Sequence, residues 1–254
     1  MAVLERDGVT LHYEVAGDGP AILLSHGYSA SSRMWTRQVE HLTDRYRVIT
    51  WDFRGHGASD YPADPDCYSE ALTVADMAAL LDRCGVERAA VAGLSLGGYM
   101  SLAFHRDHRE RVAALMLFDT GPGFRKDAAR EAWNETARGR GDVFDRDGLA
   151  ALSGSAERRA DEHRDASGLA HAARGMLTQR DASVMESLPT IVVPTLVLVG
   201  ADDTPYLGAT DYMAGKIAGS RKVVLANAGH AANLDQPEAF NAALDAFLGD
   251  QSAW

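Results

Sequence analysis

Gly93-Leu94-Ser95-Leu96-Gly97 has the spacing G-x-S-x-G. A run of small apolar residues, Ala89 to Ala92, precedes it and reads as a buried strand, and Tyr99 to His105 follows as a helix-like stretch. Strand, sharp turn and helix are the context in which this pattern presents a serine hydroxyl for attack on a carbonyl. The glycines let a strained serine backbone and its neighbours approach closely. The turn also opens a helix, so amide N–H groups and a positive dipole end face any negative charge that forms there. The Leu96 N–H, next after the serine, is one such donor for a tetrahedral oxyanion. The plainer alternative is a glycine-rich turn with an idle serine. A hydroxyl is a poor nucleophile until a base takes its proton, so the rest of the chain must supply a base and a group to orient it.

The chain has nine histidines. His230 lies in Ala228-Gly229-His230, between the last apolar strand and the final helical pattern. Carboxylates stand after two apolar runs: Asp202 and Asp203 after the one ending at Val199, and Asp119 after Val112 to Phe118. The chain order serine, acid, histidine suits an elbow nucleophile, and it leaves Asp203, Asp202 and Asp119 all open. His26 and His56 sit in glycine-punctuated loops and read as structural hydrogen-bonders. His105 and His108 have i, i+3 spacing, but two ligands with no third nearby make no metal site.

The elements that must position these groups follow from periodicity. Val9 to Val15 alternates as a half-buried strand, whereas Ala21 to Leu24, Arg47 to Trp51, Val112 to Phe118 and Thr195 to Val199 are apolar runs suited to strands covered on both faces. Lys222 to Leu225 adds another strand. Met34 to Leu42 has a helical face, Thr73-Val74-Ala75-Asp76 has the form of a capping box opening a helix that Gly85 stops, and Pro237 opens a last helix that Gly249 closes. Alternating strands and helices predict an α/β fold with a mostly parallel sheet. Between Gly121 and Leu188 no strand pattern appears, and arginine, acids and scattered glycines, among them Gly139, Gly141, Gly154, Gly168 and Gly175, predict short, marginal helices. That stretch is expected to lie above the sheet's carboxyl edge, where such folds bind ligands, and to move more than the sheet.

Acids outnumber bases, 36 to 25, for a net charge of −11. That balance disfavours nucleic acid and anionic membranes as partners. The longest apolar runs fall far short of the ~20 residues that span a bilayer, and Glu5, Arg6 and Asp7 stand where a signal peptide needs an apolar core. Cys67 and Cys84 form no framework, so reduced thiols and a cytoplasmic setting are expected.

Ser25-His26-Gly27-Tyr28, Asp52-Phe53-Arg54-Gly55-His56-Gly57-Ala58-Ser59, Gly93 to Gly98 and Ala228-Gly229-His230 together resemble the α/β-hydrolase superfamily, above all small esterases, enol-lactonases and cofactor-free haloperoxidase or perhydrolase relatives. The resemblance implies a core domain of residues 1–120 and 189–254 and a helical cap of residues 121–188. It puts the base on His230 and the acid on Asp203, three residues after Gly200, with Asp202 and Asp119 as alternatives, and the second oxyanion amide on Tyr28. Tyr28, Trp35, Phe124, Trp133, Phe144 and Tyr206 are its candidate pocket residues. The implied activity is a serine hydrolase cleaving a small ester or lactone through an acyl-enzyme. A carbon–carbon bond hydrolase or perhydrolase would use the same residues, and a ligand-binding protein on the same scaffold would need no triad. Dehalogenase and epoxide-hydrolase relatives carry aspartate where this chain has Ser95. No cofactor and no metal are implied; the expected partner is a small molecule, and the oligomeric state stays open.

Overall fold

The computed structural model describes residues 2–152 and 162–249. Eight strands form one sheet: β1 (Ala2–Arg6), β2 (Val9–Ala16), β3 (Ala21–Ser25), β4 (Arg47–Trp51), β5 (Ala89–Leu94), β6 (Val112–Phe118), β7 (Thr195–Gly200) and β8 (Arg221–Leu225). Their order is β1-β2-β4-β3-β5-β6-β7-β8, with β2 antiparallel to β1 and β4 and every other pair parallel. The chain therefore is α/β with the α/β-hydrolase fold. Strand β1 has no counterpart in the sequence reading. It pairs through the two-residue turn Asp7-Gly8, both with positive φ (51° and 75°), the conformation for which Asp-Gly is favoured in a hairpin.

After β3 the chain steps outward to β4, then returns past β3 to β5. The loops leaving β3 and β5 therefore diverge to opposite sides, and the gap between their carboxyl ends is a ready crevice. Ser25 and Gly93 are paired across that point, so the loops carrying His26 and Ser95 start side by side.

The helices cover both faces. A 3₁₀ turn at Ser32–Trp35 runs into α1 (Thr36–Leu42), where a single helix was expected from Met34. Helix α2 (Glu70–Arg83) begins a turn before the expected capping box: Ser69 is the cap, its Oγ accepting from Leu72 N at 3.1 Å. Thr73 lies inside the helix, and Asp76 is buried with Arg54 and Arg6 on its carboxylate at 2.6–2.8 Å. Helix α3 (Leu96–Asp107) follows the serine turn. Alternate strand residues face opposite layers. Leu23, Ile49, Val91 and Leu115 pack under Met77, Leu80 and Phe104, while Ile22, Leu24, Ala92 and Met116 pack over Trp35, Phe240 and Phe247.

Residues 121–152 and 162–188 carry α4 (Asp127–Asp147), α5 (Ser167–Gly175) and the short α6 (Ser183–Ser187); Gly154 lies outside the described residues. The expectation of only short helices fails at α4, which runs 21 residues. Its buried Asn134, Ala137, Gly141 and Phe144 recur at helical spacing, so a seam too sparse to stand out by composition is enough once α5 is there to receive it. The glycines are sites of close approach. A Cβ on Gly141 would lie 3.0 Å from Ala170 O, and one on Gly175 would lie 2.0 Å from Tyr68 O. The chain closes with α7 (Thr204–Lys216), α8 (Ala232–Asp235) and α9 (Pro237–Gly249). Among the described residues no helix is long and apolar enough to cross a membrane.

Candidate active site

Ser95 holds φ 54° and ψ −113° between β5 and α3, a conformation that a residue with a side chain adopts only when its surroundings impose it. The surroundings are visible. Ser95 N donates to Phe118 O at 2.9 Å, and Ser95 O accepts from Tyr99 N at 3.0 Å and Thr120 Oγ1 at 2.6 Å. A Cβ on Gly93 would sit 2.2 Å from Gly97 C, and one on Gly97 would sit 2.2 Å from Ser25 O. No side chain fits at either position, so the turn can be this tight only with glycine. Thr120 is a supporting residue that motif reading missed; its one signal is its place just beyond β6, beside the strand that carries the serine.

The loop after β3 is fixed by two buried histidines. His26 Nδ1 donates to Gly27 O at 2.7 Å and Nε2 accepts from Phe53 N at 3.0 Å. His56 Nδ1 donates to Arg54 O at 3.0 Å and Nε2 accepts from Ser29 N at 3.1 Å. A ring nitrogen that accepts must be unprotonated, and burial agrees: it pushes His26 down to about 4 and His56 well below the usual histidine range. Both histidines thus hold loops in place. In the same turn Ser29 N–H is committed to His56 and Ala30 N–H to Gly27 O, and Tyr28 lines the cavity beside Leu96.

The loop after β7 brings Asp203 Oδ2 to 2.8 Å from His230 Nδ1. Asp203 is 5% exposed, whereas Asp202 is exposed and its backbone N–H goes to Ala228 O. Gly200 lets the two loops meet, since a Cβ there would lie 2.3 Å from both Ala228 O and Gly229 O. Asp119 takes a different position. Its Oδ1 accepts from Gly200 N at 2.8 Å. It holds the start of the Asp203 loop from below. Burial, reinforced by the Asp203 charge, pushes Asp119 up to about 8, and its Oδ2 has no hydrogen-bond partner among the described residues.

Ser95, Leu96, Tyr28, Asp203 and His230 meet at a cavity of about 970 Å³. Of the aromatic candidates, Tyr28, Phe124, Trp133, Phe144 and Tyr206 line it. Trp35 does not. It is fully buried, 5.9 Å from the Phe118 ring and 6.4 Å from Phe240, because its 3₁₀ turn faces the α9 layer. Tyr206 lies beside the histidine: its ring is 4.9 Å from that of His230, and it lines the cavity with Ser95. Burial raises the phenol above its ordinary range, so it remains protonated. The wall above comes from α4 and the segment around Gln179. Tyr28 reaches across and donates to Leu169 O at 2.8 Å, and His163 Nε2 meets Ser29 O at 3.1 Å, so the helical layer is pinned to the loop after β3. His105 is buried and His108 packs on Phe104; among the described residues no group of three or more His, Cys, Asp or Glu could hold a metal.

Comparison with known proteins gives one consistent result. The model of the alpha/beta hydrolase family matches residues 22–243. A Bacillus subtilis protein provisionally assigned as 2-succinyl-6-hydroxy-2,4-cyclohexadiene-1-carboxylate synthase is 31% identical, over 95% of this chain and 96% of its own. The 3-oxoadipate enol-lactonase 2 of Acinetobacter baylyi is 30% identical, over 96% and 95%. Among solved structures, a thermophilic esterase from Thermogutta terrifontis is 31% identical with a TM-score of 0.80, over 97% of this chain and 96% of that one.

Proposed function

Because the chain belongs to the alpha/beta hydrolase family, we propose that it is a serine hydrolase cleaving a small ester or lactone through an acyl-enzyme. The observation that carries this is the 2.8 Å contact of Asp203 with His230 Nδ1, beside Ser95 on its strained turn in one cavity. Likeness to an enol-lactonase and an esterase supports the substrate class.

The steps are these. Asp203 accepts from His230 Nδ1–H, which fixes the tautomer and leaves Nε2 as the base. The Ser95 hydroxyl gives up its proton to Nε2 and attacks the carbonyl carbon. The Tyr28 and Leu96 amides take the oxyanion, aided by the start of α3. The tetrahedral adduct collapses; the C–O bond to the leaving group breaks, and that oxygen takes the proton from His230. A water then attacks the acyl-Ser95 with His230 again as base, releasing the acid and restoring the serine.

A fluorophosphonate probe with peptide mapping tests the nucleophile, and p-nitrophenyl esters and lactones of graded length test the substrate class. Labelling at Ser95, and turnover that Ser95→Ala cuts by roughly 10⁴-fold without unfolding the protein, are expected. Labelling elsewhere, or more than a few per cent of activity left in Ser95→Ala, would remove Ser95 from the role.

A further inference from the structure

Helix α4 forms part of the wall of the cavity that holds Ser95, with Arg140 exposed at its edge. Trp133, Arg140, Val143 and Phe144 all line the cavity, and their spacing puts them on one side of the helix. Three of the four are apolar or aromatic. Arg140 is the single arginine or lysine among the described residues lining the cavity, in a chain of net charge −11.

Other arginines of this layer are neutralised. Arg130 pairs with Asp127, Arg138 with Glu131, Arg146 with Asp147, and Arg174 with Asp142 and Asp145. Among the described residues no carboxylate pairs with Arg140. Its guanidinium lies 5.5 Å from the centre of the Trp133 ring. That ring is itself held, because Trp133 Nε1 donates to Leu177 O at 2.8 Å. An indole face attracts a cation while leaving the guanidinium's outer N–H groups available. The charge is also felt beside His230: Arg140 lowers the Tyr206 phenol against the larger upward push of burial, and the Tyr206 ring lies 4.9 Å from that of His230.

We infer that Arg140 is a carboxylate-recognition residue, and that the preferred substrate is an ester or lactone carrying a carboxylate on its acyl part, remote from the scissile carbonyl. The inference rests on the proposed hydrolase reading. A planar carboxylate matches two parallel N–H donors of one guanidinium, and a cavity otherwise walled by Phe124, Trp133, Val143 and Phe144 accommodates the carbon chain that links it to the carbonyl. With the carboxylate on Arg140 and the carbonyl at Ser95, the substrate is held at both ends, which favours a reactive orientation.

Two p-nitrophenyl esters of equal chain length test this: the neutral pentanoate, and the monoester of glutarate, which ends in a carboxylate. The wild type is expected to favour the glutarate ester. Arg140→Gln is expected to lower the ratio of kcat/KM for the glutarate ester over the pentanoate by roughly 10-fold or more, chiefly through KM, as loss of a charge-assisted hydrogen bond does. Arg140→Lys should recover part of that ratio. A ratio moved less than about twofold by Arg140→Gln would overturn the inference, since a charge contact cannot be that weak and still select. Binding supplies a readout free of turnover. In Ser95→Ala, free glutarate should raise the melting temperature more than pentanoate, and adding Arg140→Gln should erase the difference; an equal shift in both backgrounds also overturns the inference. If neither ester is hydrolysed and the fluorophosphonate leaves Ser95 unlabelled, the hydrolase reading fails, while the glutarate shift still decides for or against Arg140.

Discussion

Asp119→Asn is a substitution whose effect can be worked from the structure. In the folded protein Asp119 is pushed up to about 8 from an ordinary 3.8, by burial and by the nearby Asp203 charge. The folded state therefore binds a proton that the unfolded chain has lost over most of that interval. Where the folded state holds more protons, stability falls as pH rises. Below about pH 4 both states are protonated and the group is neutral in its effect; the loss builds through the interval and is complete above about pH 8. Between pH 5 and 9 these two values give about 4 kcal/mol of lost stability. Asparagine keeps an oxygen for the Gly200 amide and has no charge to desolvate. Urea unfolding of wild type and Asp119→Asn at a series of pH values should give curves that diverge with rising pH, the variant becoming the more stable, by about 4 kcal/mol over that range. Parallel curves would refute a buried neutral Asp119. Activity adds a second test. Asp119 holds the start of the Asp203 loop as a neutral group, so Asp119→Asn should keep most turnover. A fall of several orders of magnitude would make Asp119 the acid that orients the histidine.

Two further outcomes follow from the site and the layer above it. Asp203→Asn should lower kcat by roughly 10⁴-fold while Asp202→Asn, at an exposed side chain, changes it little; steady-state kinetics on any turned-over ester decides, and the reverse ranking moves the acid by one residue. Gly175→Ala should lower the melting temperature, by about 1–3 kcal/mol of stability, because its Cβ would fall 2.0 Å from Tyr68 O. A rise, as alanine gives in an uncrowded helix, would show that this approach is looser than drawn.

Much of the sheet is legible because strands covered on both faces must be continuously apolar. The apolar runs at Val112 to Phe118 and Arg47 to Trp51 match β6 and β4, those of β3 and β7 stop one residue short, and that of β5 stops two short, at Ala92, where the strand runs on to Leu94. The serine turn was legible because tight backbone approach leaves glycine as the only choice. Strand β1 was missed because its alternation is short and charged; the Asp-Gly after it was the available signal. The capping box failed at Thr73 because Ser69 caps one turn earlier and tertiary pairing with Arg54 uses Asp76. Trp35 and Tyr206 illustrate what one-dimensional pattern leaves open. Both are aromatic residues near loops, and which of them faces the core depends on packing that only the assembled layers define. Arg140 was lost for a related reason: an arginine in a segment rich in arginine and acid has no mark in sequence, and its meaning comes from which of its neighbours are already paired.

The contact between Gly55 and Gly168 bears on how this protein could change its substrate range. A Cβ on Gly55 would lie 2.6 Å from Gly168 O, and a Cβ on Gly168 would lie 2.6 Å from Gly55 Cα. Each residue leaves no room for a side chain on the other. The helical layer leaves after β6 and returns to β7, its hydrogen-bonded neighbour, so in connectivity it is an exchangeable module. In shape it is keyed. A layer transplanted from a relative would seat on this sheet only if it presented a bare backbone where Gly168 stands, and this layer would seat elsewhere only on a host with a bare backbone at the place of Gly55. New pockets are therefore reached more readily by substitution along the inner face of α4 than by exchange of the whole layer.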